Sequence, residues 1–329
     1  MTEPTQEPAA LIDAGWSALA AGDVEHAESA CDAALARLPG SIPGLCLKAA
    51  IEVSRGRLDA AMKVCRKAMQ LEPGDPRPYI QAAEIEIYSE NEDRAIPLAL
   101  EAIDRATDEP DFIDAMLIKA AAEIGCSSYE DAERTLRELE SCTVDEPPLL
   151  HRLGQLWLEL EEPERAARAF RECVARDPNA VDAHYGLGRA YAELDQGQDA
   201  LVAWRRVHAL DNEAGPPPLS LSKEDLRSQT GELLDKLPAG VRPRVQAAAI
   251  VIDTSPNTEL VEAGVDPRSV VRLEGGPRRV DTVIIYHHSL ERRASSPERI
   301  EDELVLELVF ELEENLELSA GERANLGLL

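Results

Sequence analysis

The stretch Phe310-Glu311-Leu312-Glu313-Glu314 places a glutamate where a metal-hydrolysis helix carries its general base. In an H-E-x-x-H helix, two imidazoles four residues apart point from one face, and the glutamate takes a proton from metal-bound water. A catalytic zinc needs three protein ligands and one open place. Phe310 occupies the first imidazole place, and a phenyl ring has no lone pair to give. Glu314 occupies the second, where one carboxylate cannot hold zinc alone. Glu311 is left with no activated water to serve, so no metal and no cofactor are expected.

A rearranged site is conceivable from the residues nearby. Glu307, Glu311 and Glu314 recur at i, i+4 and i+7, an acidic stripe that attracts calcium or manganese or simply faces water. His287 and His288 close a predicted edge strand; either of them with Glu314 would begin a rebuilt site, and a solvated pair is the plainer reading. His26, His151, His184 and His208 are scattered. The chain has no G-x-x-x-x-G-K-[ST], G-x-G-x-x-G or G-x-S-x-G, so nucleotide-dependent and serine-hydrolase chemistry lack support.

The elements that must position these residues lie after "EAGPPPLSLS", a semi-rigid spacer. Ser222 caps a predicted helix with Leu226, Leu233, Leu234 and Leu237 along one face. "VQAAAIVIDTSP" and "DTVIIYHHSL" are β-branched runs that read as strands. Leu306 to Glu313 nearly alternates, but Ile300, Leu304, Leu308, Leu312 and Leu316 form an i, i+4 ladder. With Ser296 as cap and Pro297 as first residue, the ladder predicts a helix.

This order of helix, strand, loop, strand and helix resembles a bacterial family of minimal zincin-like metallopeptidases. The resemblance rests on "AAAIVIDTSPNTELVEAG", "DTVIIYHHSLERRA" and "LELSAGERANLGLL". It implies that Phe310 and Glu314 sit in the two helix-borne ligand places and Ala320 near the downstream one. Glu317 replaces the glycine that lets the family's chain turn beneath its metal. The implied domain is a degenerate zincin, a pseudo-peptidase.

The first two thirds of the chain repeat. Ala27, Ala61, Ala95, Ala132, Ala166 and Ala200 follow at intervals of 34, 34, 37, 34 and 34 residues. Gly15, Gly154 and Gly188 fall twelve residues before their alanines, with Ala83 and Ala120 in the same slot. Gly22 and Gly56 share a phase, as do Pro39, Pro73 and Pro178. The pattern, clearest in "AHYGLGRAYAELDQGQDALVAWRRVHALD", resembles the tetratricopeptide repeat family of helix–turn–helix units. Small residues are needed where the paired helices cross, and stacked units share one core. Cys31 and Cys65 fill a slot that holds Phe170 and Trp204 later, which marks both as packing residues. Three extra residues near "DEPDF" should lengthen a turn, and Pro97 should kink a helix.

In that family the first helix of each unit lines a concave, peptide-binding surface. The resemblance places Ile12, Trp16, Cys46, Val53, Ile80, Ile87 and Tyr88 there in repeats one to three. Gln155, Glu159, Asp182, Arg189 and Glu193 follow in repeats five and six. The apolar stripe is either a binding surface or a face that the rest of the chain covers. The basic residues of a carboxylate clamp are absent at Ile12 and Trp16.

Composition sets the frame. Alanine and leucine abound, aromatics are 4%, and the net charge is −29. That charge argues against nucleic acid or an anionic membrane as partner. Six scattered cysteines without C-x-x-C suggest no disulfide framework. The start lacks a basic and apolar leader pattern, so a cytoplasmic location is expected. The expected fold class is mainly α. A tetratricopeptide solenoid of about six repeats (8–212) leads through a linker (213–221) into a degenerate zincin-like α+β domain (222–329). The expected function is a non-catalytic scaffold binding a peptide or protein. The alternative is a metal-dependent peptidase with unusual ligands, Glu311 as base, and repeats that recruit substrate.

Overall fold

The computed structural model describes residues 7–217, 220–294 and 297–328. The chain divides into two compact units, the first ending at Gly186 and the second starting at Leu187.

Helices follow one another in pairs: α1 (Pro8–Ala20) and α2 (Val24–Arg37), α3 (Ile42–Ser54) and α4 (Leu58–Leu71), α5 (Arg77–Tyr88) and α6 (Glu92–Arg105). Then come α7 (Glu109–Gly125) and α8 (Tyr129–Glu138), α9 (Pro147–Glu159) and α10 (Pro163–Arg176), α11 (Val181–Glu193) and α12 (Gly197–Ala214). Each first helix stops at one residue in the left-handed region: Gly22, Gly56, Glu90, Ser127, Glu161 and Asp195. The amide after it reaches back five residues, as in Asp23 N–H to the Ala18 carbonyl (2.9 Å) and Glu162 N–H to Trp157 (2.9 Å). This closure satisfies carbonyls that the helix end would otherwise leave open. The repeat is thus written in turn geometry as well as in packing.

The packing follows from residue size. Ala27, Ala61, Ala95, Ala132 and Ala166 are 0% exposed, each at a helix crossing. A Cβ on Gly154 would lie 2.7 Å from the Phe170 ring, closer than real contacts allow. Cys31, Cys65 and Phe170 are fully buried in their shared slot. Burial pushes the Cys31 thiol up to about 11 and the Cys65 thiol up to about 12, which leaves both protonated. Among the described residues every cysteine is a free thiol.

The three extra residues of repeat four do not lengthen a turn. Asp108 accepts the Asp111 N–H and Pro110 sits in the first turn, so the insertion extends the start of α7, a helix of 17 residues. Pro97 is carried within α6, its ring exposed, and the helix runs on to Arg105.

In the first unit, α1, α3, α5 and α7 each pack against the next first helix, while second helices pack chiefly on first helices. The first helices therefore form the shorter, inner row.

The second unit carries the rest of α11, α12 and the C-terminal region. Gly215, at φ 81°, ends α12. Ser222 accepts the Asp225 N–H at the start of α13 (Lys223–Lys236), as its sequence predicts. After α14 (Arg242–Val245) come β1 (Ala249–Asp253), α15 (Thr258–Glu262), β2 (Val271–Gly276), β3 (Arg279–Tyr286), α16 (His287–Ala294), α17 (Ile300–Asn315) and α18 (Ala320–Asn325). The sheet order is β1-β3-β2, with β1 parallel and β2 antiparallel to β3. Its core gathers Val283, Ile285, Leu290, Leu304, Leu308 and Leu312.

Two expectations are corrected here. "DTVIIYHHSL" is the middle strand rather than an edge, because "VRLEGG" adds β2 outside it. His287 and His288 do not end a strand but open α16, and His287 is 1% exposed rather than solvated. The i, i+4 ladder does form the buried face of α17. Pro297 begins a single 3-10 turn before it, and Ser296 lies outside the described residues.

One ion network ties α12 to the C-terminal elements. Asp211 receives the Arg268 guanidinium (Nε to Oδ2 3.1 Å) and Arg292 (Nη1 to Oδ1 2.8 Å). Arg292 also donates to the Gly215 carbonyl at 3.0 Å.

Candidate functional site

The inner row of first helices holds the residues assigned to a groove, but it does not present them all. Ile12, Cys46 and Ile80 are buried in interhelical cores, because their positions face the next first helix. Val53 and Ile87 are half-buried against the same clusters. Trp16 (37% exposed) and Tyr88 (67% exposed) remain open. The continuous apolar stripe is therefore corrected to two separate aromatic residues. Gln155 and Glu159 are exposed on α9, and Arg189 and Glu193 pair on α11 at 3.9 Å. Asp182 is exposed near the start of α11.

What the inner row does assemble is a charge cluster across three repeats. Arg152 on α9 donates Nη2 to Glu84 on α5 (2.7 Å) and Nη1 to Asp114 on α7 (2.5 Å). The three side chains keep about a third of their surface, at 35%, 32% and 31%. Burial raises both carboxyls above their ordinary range, Arg152 opposes that rise in each, and Asp114 adds to it in Glu84. Tyr88, one turn beyond Glu84, is within electrostatic reach of Arg152. His151, beside Arg152, lies 5.8 Å from the Phe170 ring, and burial lowers its basicity. This face offers a fixed guanidinium, two held carboxylates and an open phenol. Arg152 lies outside the groove register read from the sequence; the signal for it was two acidic residues in successive inner slots with one arginine to hold them.

On α17 the would-be ligand places point away from the core. Phe310 is 56% exposed, and Glu314 and Ala320 are exposed. Glu311 lies on another face, toward β2: its carboxylate accepts the Asn315 Nδ2–H at 3.0 Å, and the Leu273 amide lies within electrostatic reach. Burial lifts its pKa, and those two groups hold it down. The expected stripe is displaced by one turn, because Glu303 and Glu307 rather than Glu314 line the same face. Arg293 reaches Glu303 (3.5 Å) and Glu307 (2.8 Å). Burial raises the Glu307 pKa, with Arg293 opposing. His287 faces Glu291, its neighbour on α16, at 3.3 Å. Among the described residues no three His, Cys, Asp or Glu side chains are grouped to hold a metal ion. Nor is any described helix long and apolar enough to cross a membrane.

Comparison with known proteins bears on the repeats. No curated protein matches the chain. Among solved structures, MamA is similar at 14% identity over 50% of this chain and 95% of its own, with a TM-score of 0.40. YrrB, described as a TPR protein with an unusual peptide-binding site, is similar at 16% identity over 55% of this chain and 92% of its own, with a TM-score of 0.38. PilF of Pseudomonas aeruginosa is similar at 15% identity over 62% of this chain and 91% of its own, with a TM-score of 0.46. The tetratricopeptide repeat model matches residues 12–76 and 151–216, so both stretches carry tetratricopeptide repeats.

Proposed function

We propose that the chain is a non-catalytic interaction scaffold that holds an extended peptide or a partner protein along the inner row of its repeats. The observation that carries this reading is the Glu84–Arg152–Asp114 cluster with Tyr88 open beside it. A held guanidinium and an exposed phenol are the side-chain types that anchor binding interfaces. The C-terminal domain is proposed as a metal-free relative of zincin-like peptidases. Support for that part is the exposure of Phe310 and Glu314 and the hydrogen bond that Asn315 donates to Glu311.

The test is selection of binders to the full chain from a random peptide library, followed by titration. Tyr88→Ala should weaken the selected peptides about tenfold or more, while Phe310→Ala should leave them unchanged. Equal binding by both variants would remove the inner row from the reading. Elemental analysis of the purified chain should find no stoichiometric zinc. About one zinc per chain, with peptide cleavage lost in Glu311→Gln, would replace the scaffold with an enzyme.

A further inference from the structure

β1 and β3 are parallel, pairing from Ala249↔Thr282 to Asp253↔Tyr286, so their carboxyl ends lie side by side. In α/β sheets, ligands settle outside the carboxyl ends of parallel strands, often at a helix N-terminus. Here the chain leaving β1 meets the start of α16, joined by the His288 N–H to the Thr254 carbonyl at 2.9 Å. A cavity of about 140 Å³ opens at that junction. Ser255, His288, Ser289 and Arg292 line it from the strand ends and α16, and His208 and Asn212 from α12.

Ser289 is the telling residue. It is 6% exposed, yet its hydroxyl makes no hydrogen bond among the described residues. Buried hydroxyls are ordinarily paired, and one left open toward a polar cavity awaits a partner. Asp211, also on the wall, receives both Arg268 and Arg292, and Arg292 lines the cavity as its cation. Burial and the neighbouring Arg292 and His287 lower the pKa of His288, which leaves a neutral ring with one N–H to donate.

We infer that this cavity binds a phosphate group through the Ser255 and Ser289 hydroxyls, the His288 ring, the Asn212 amide and the Arg292 guanidinium. The volume, well below the roughly 300 Å³ at which drug-sized pockets begin, is that of a phosphate group rather than of a larger enclosed ligand. The Asp211 carboxylate on the wall selects the singly charged form, whose P–OH donates to it.

Full-length protein is titrated with inorganic phosphate, and separately with a phosphoserine peptide, at constant ionic strength. Binding is followed by the thermal midpoint and by phosphorus NMR. The wild-type chain should show a saturable response. Ser289→Ala, which removes a hydroxyl without a hydrogen bond among the described residues, should keep the fold and weaken the response about tenfold. Ser255→Ala should act in the same direction. A response to inorganic phosphate alone identifies a free anion, and a response to both identifies an open monoester site. A response that never saturates, one unchanged in Ser289→Ala, or none at all overturns the assignment.

Discussion

Replacing Arg152 with methionine tests whether the inner row is built on charge. The change keeps an unbranched apolar stem and removes the guanidinium held by Glu84 at 2.7 Å and Asp114 at 2.5 Å. Two unit charges about 4 Å apart attract by about 4 kcal/mol at a near-surface dielectric and about 1 kcal/mol in water. With about a third of each side chain exposed, solvent screening puts each pair near the lower figure. The loss should be about 2 kcal/mol for both pairs, or roughly 4–8 °C in the midpoint of a unit of this size. The pH dependence gives the sharper check. Both carboxyls already titrate above their ordinary range, and losing Arg152 raises them further. A group whose folded pKa is raised destabilises the fold above that pKa, and the penalty lifts as pH falls through it. The deficit of Arg152→Met should therefore shrink between pH 7.5 and 5.5, a range that stays above the isoelectric point of about 4.6. In the Glu84→Gln, Asp114→Asn background the substitution should be nearly neutral. Circular dichroism melts of the four variants suffice. A deficit that is equal at both pH values and persists in the neutral background would mean that Arg152 acts by packing alone.

Three further outcomes follow from the same structure. Leu312→Ala, at a fully buried position, should destabilise the C-terminal region by about 2–5 kcal/mol, whereas Phe310→Ala should stay within about 0.5 kcal/mol; denaturant titration separates them. Glu161→Gly should stabilise the fifth repeat by about 0.5–1 kcal/mol, since relief of a left-handed residue outweighs the entropy glycine adds to the unfolded chain, and a lowered melting midpoint would contradict that balance. Cutting the chain after residue 219 should leave α12 less protected in hydrogen exchange, because Asp211 then loses both Arg268 and Arg292; unchanged protection would show those ion pairs to be dispensable.

The repeat was legible because size is read directly from sequence. An alanine recurring every 34 residues can only mean a place where nothing larger fits, and those alanines are indeed buried. The left-handed turn residue was half legible: glycine marks it at Gly22 and Gly56, but glutamate, serine and aspartate fill it later and hide it. The inner-row assignment went astray at Ile12, Cys46 and Ile80, because helical register fixes which way a residue points but not whether a neighbour closes over it. β2 was missed since "VRLEGG" offers only a short alternation, with charge inside it and glycines at its end. Gly275, at φ 150° and with Arg279 O only 2.5 Å from where a Cβ would lie, shows that those glycines make the hairpin rather than end the strand.

The position of Glu311 follows from the way α17 packs against β2. An edge strand carries a row of unpaired N–H groups that invites another strand. Glu311 stands near that edge, where the Leu273 amide helps to hold its pKa down, and Asn315 donates to its carboxylate at 3.0 Å. The raised pKa of that carboxylate reflects its burial first of all. Glu311 thus belongs to the side of α17 that packs toward β2, the edge strand of the sheet. Phe310, one residue earlier and about 100° around the helix, faces solvent.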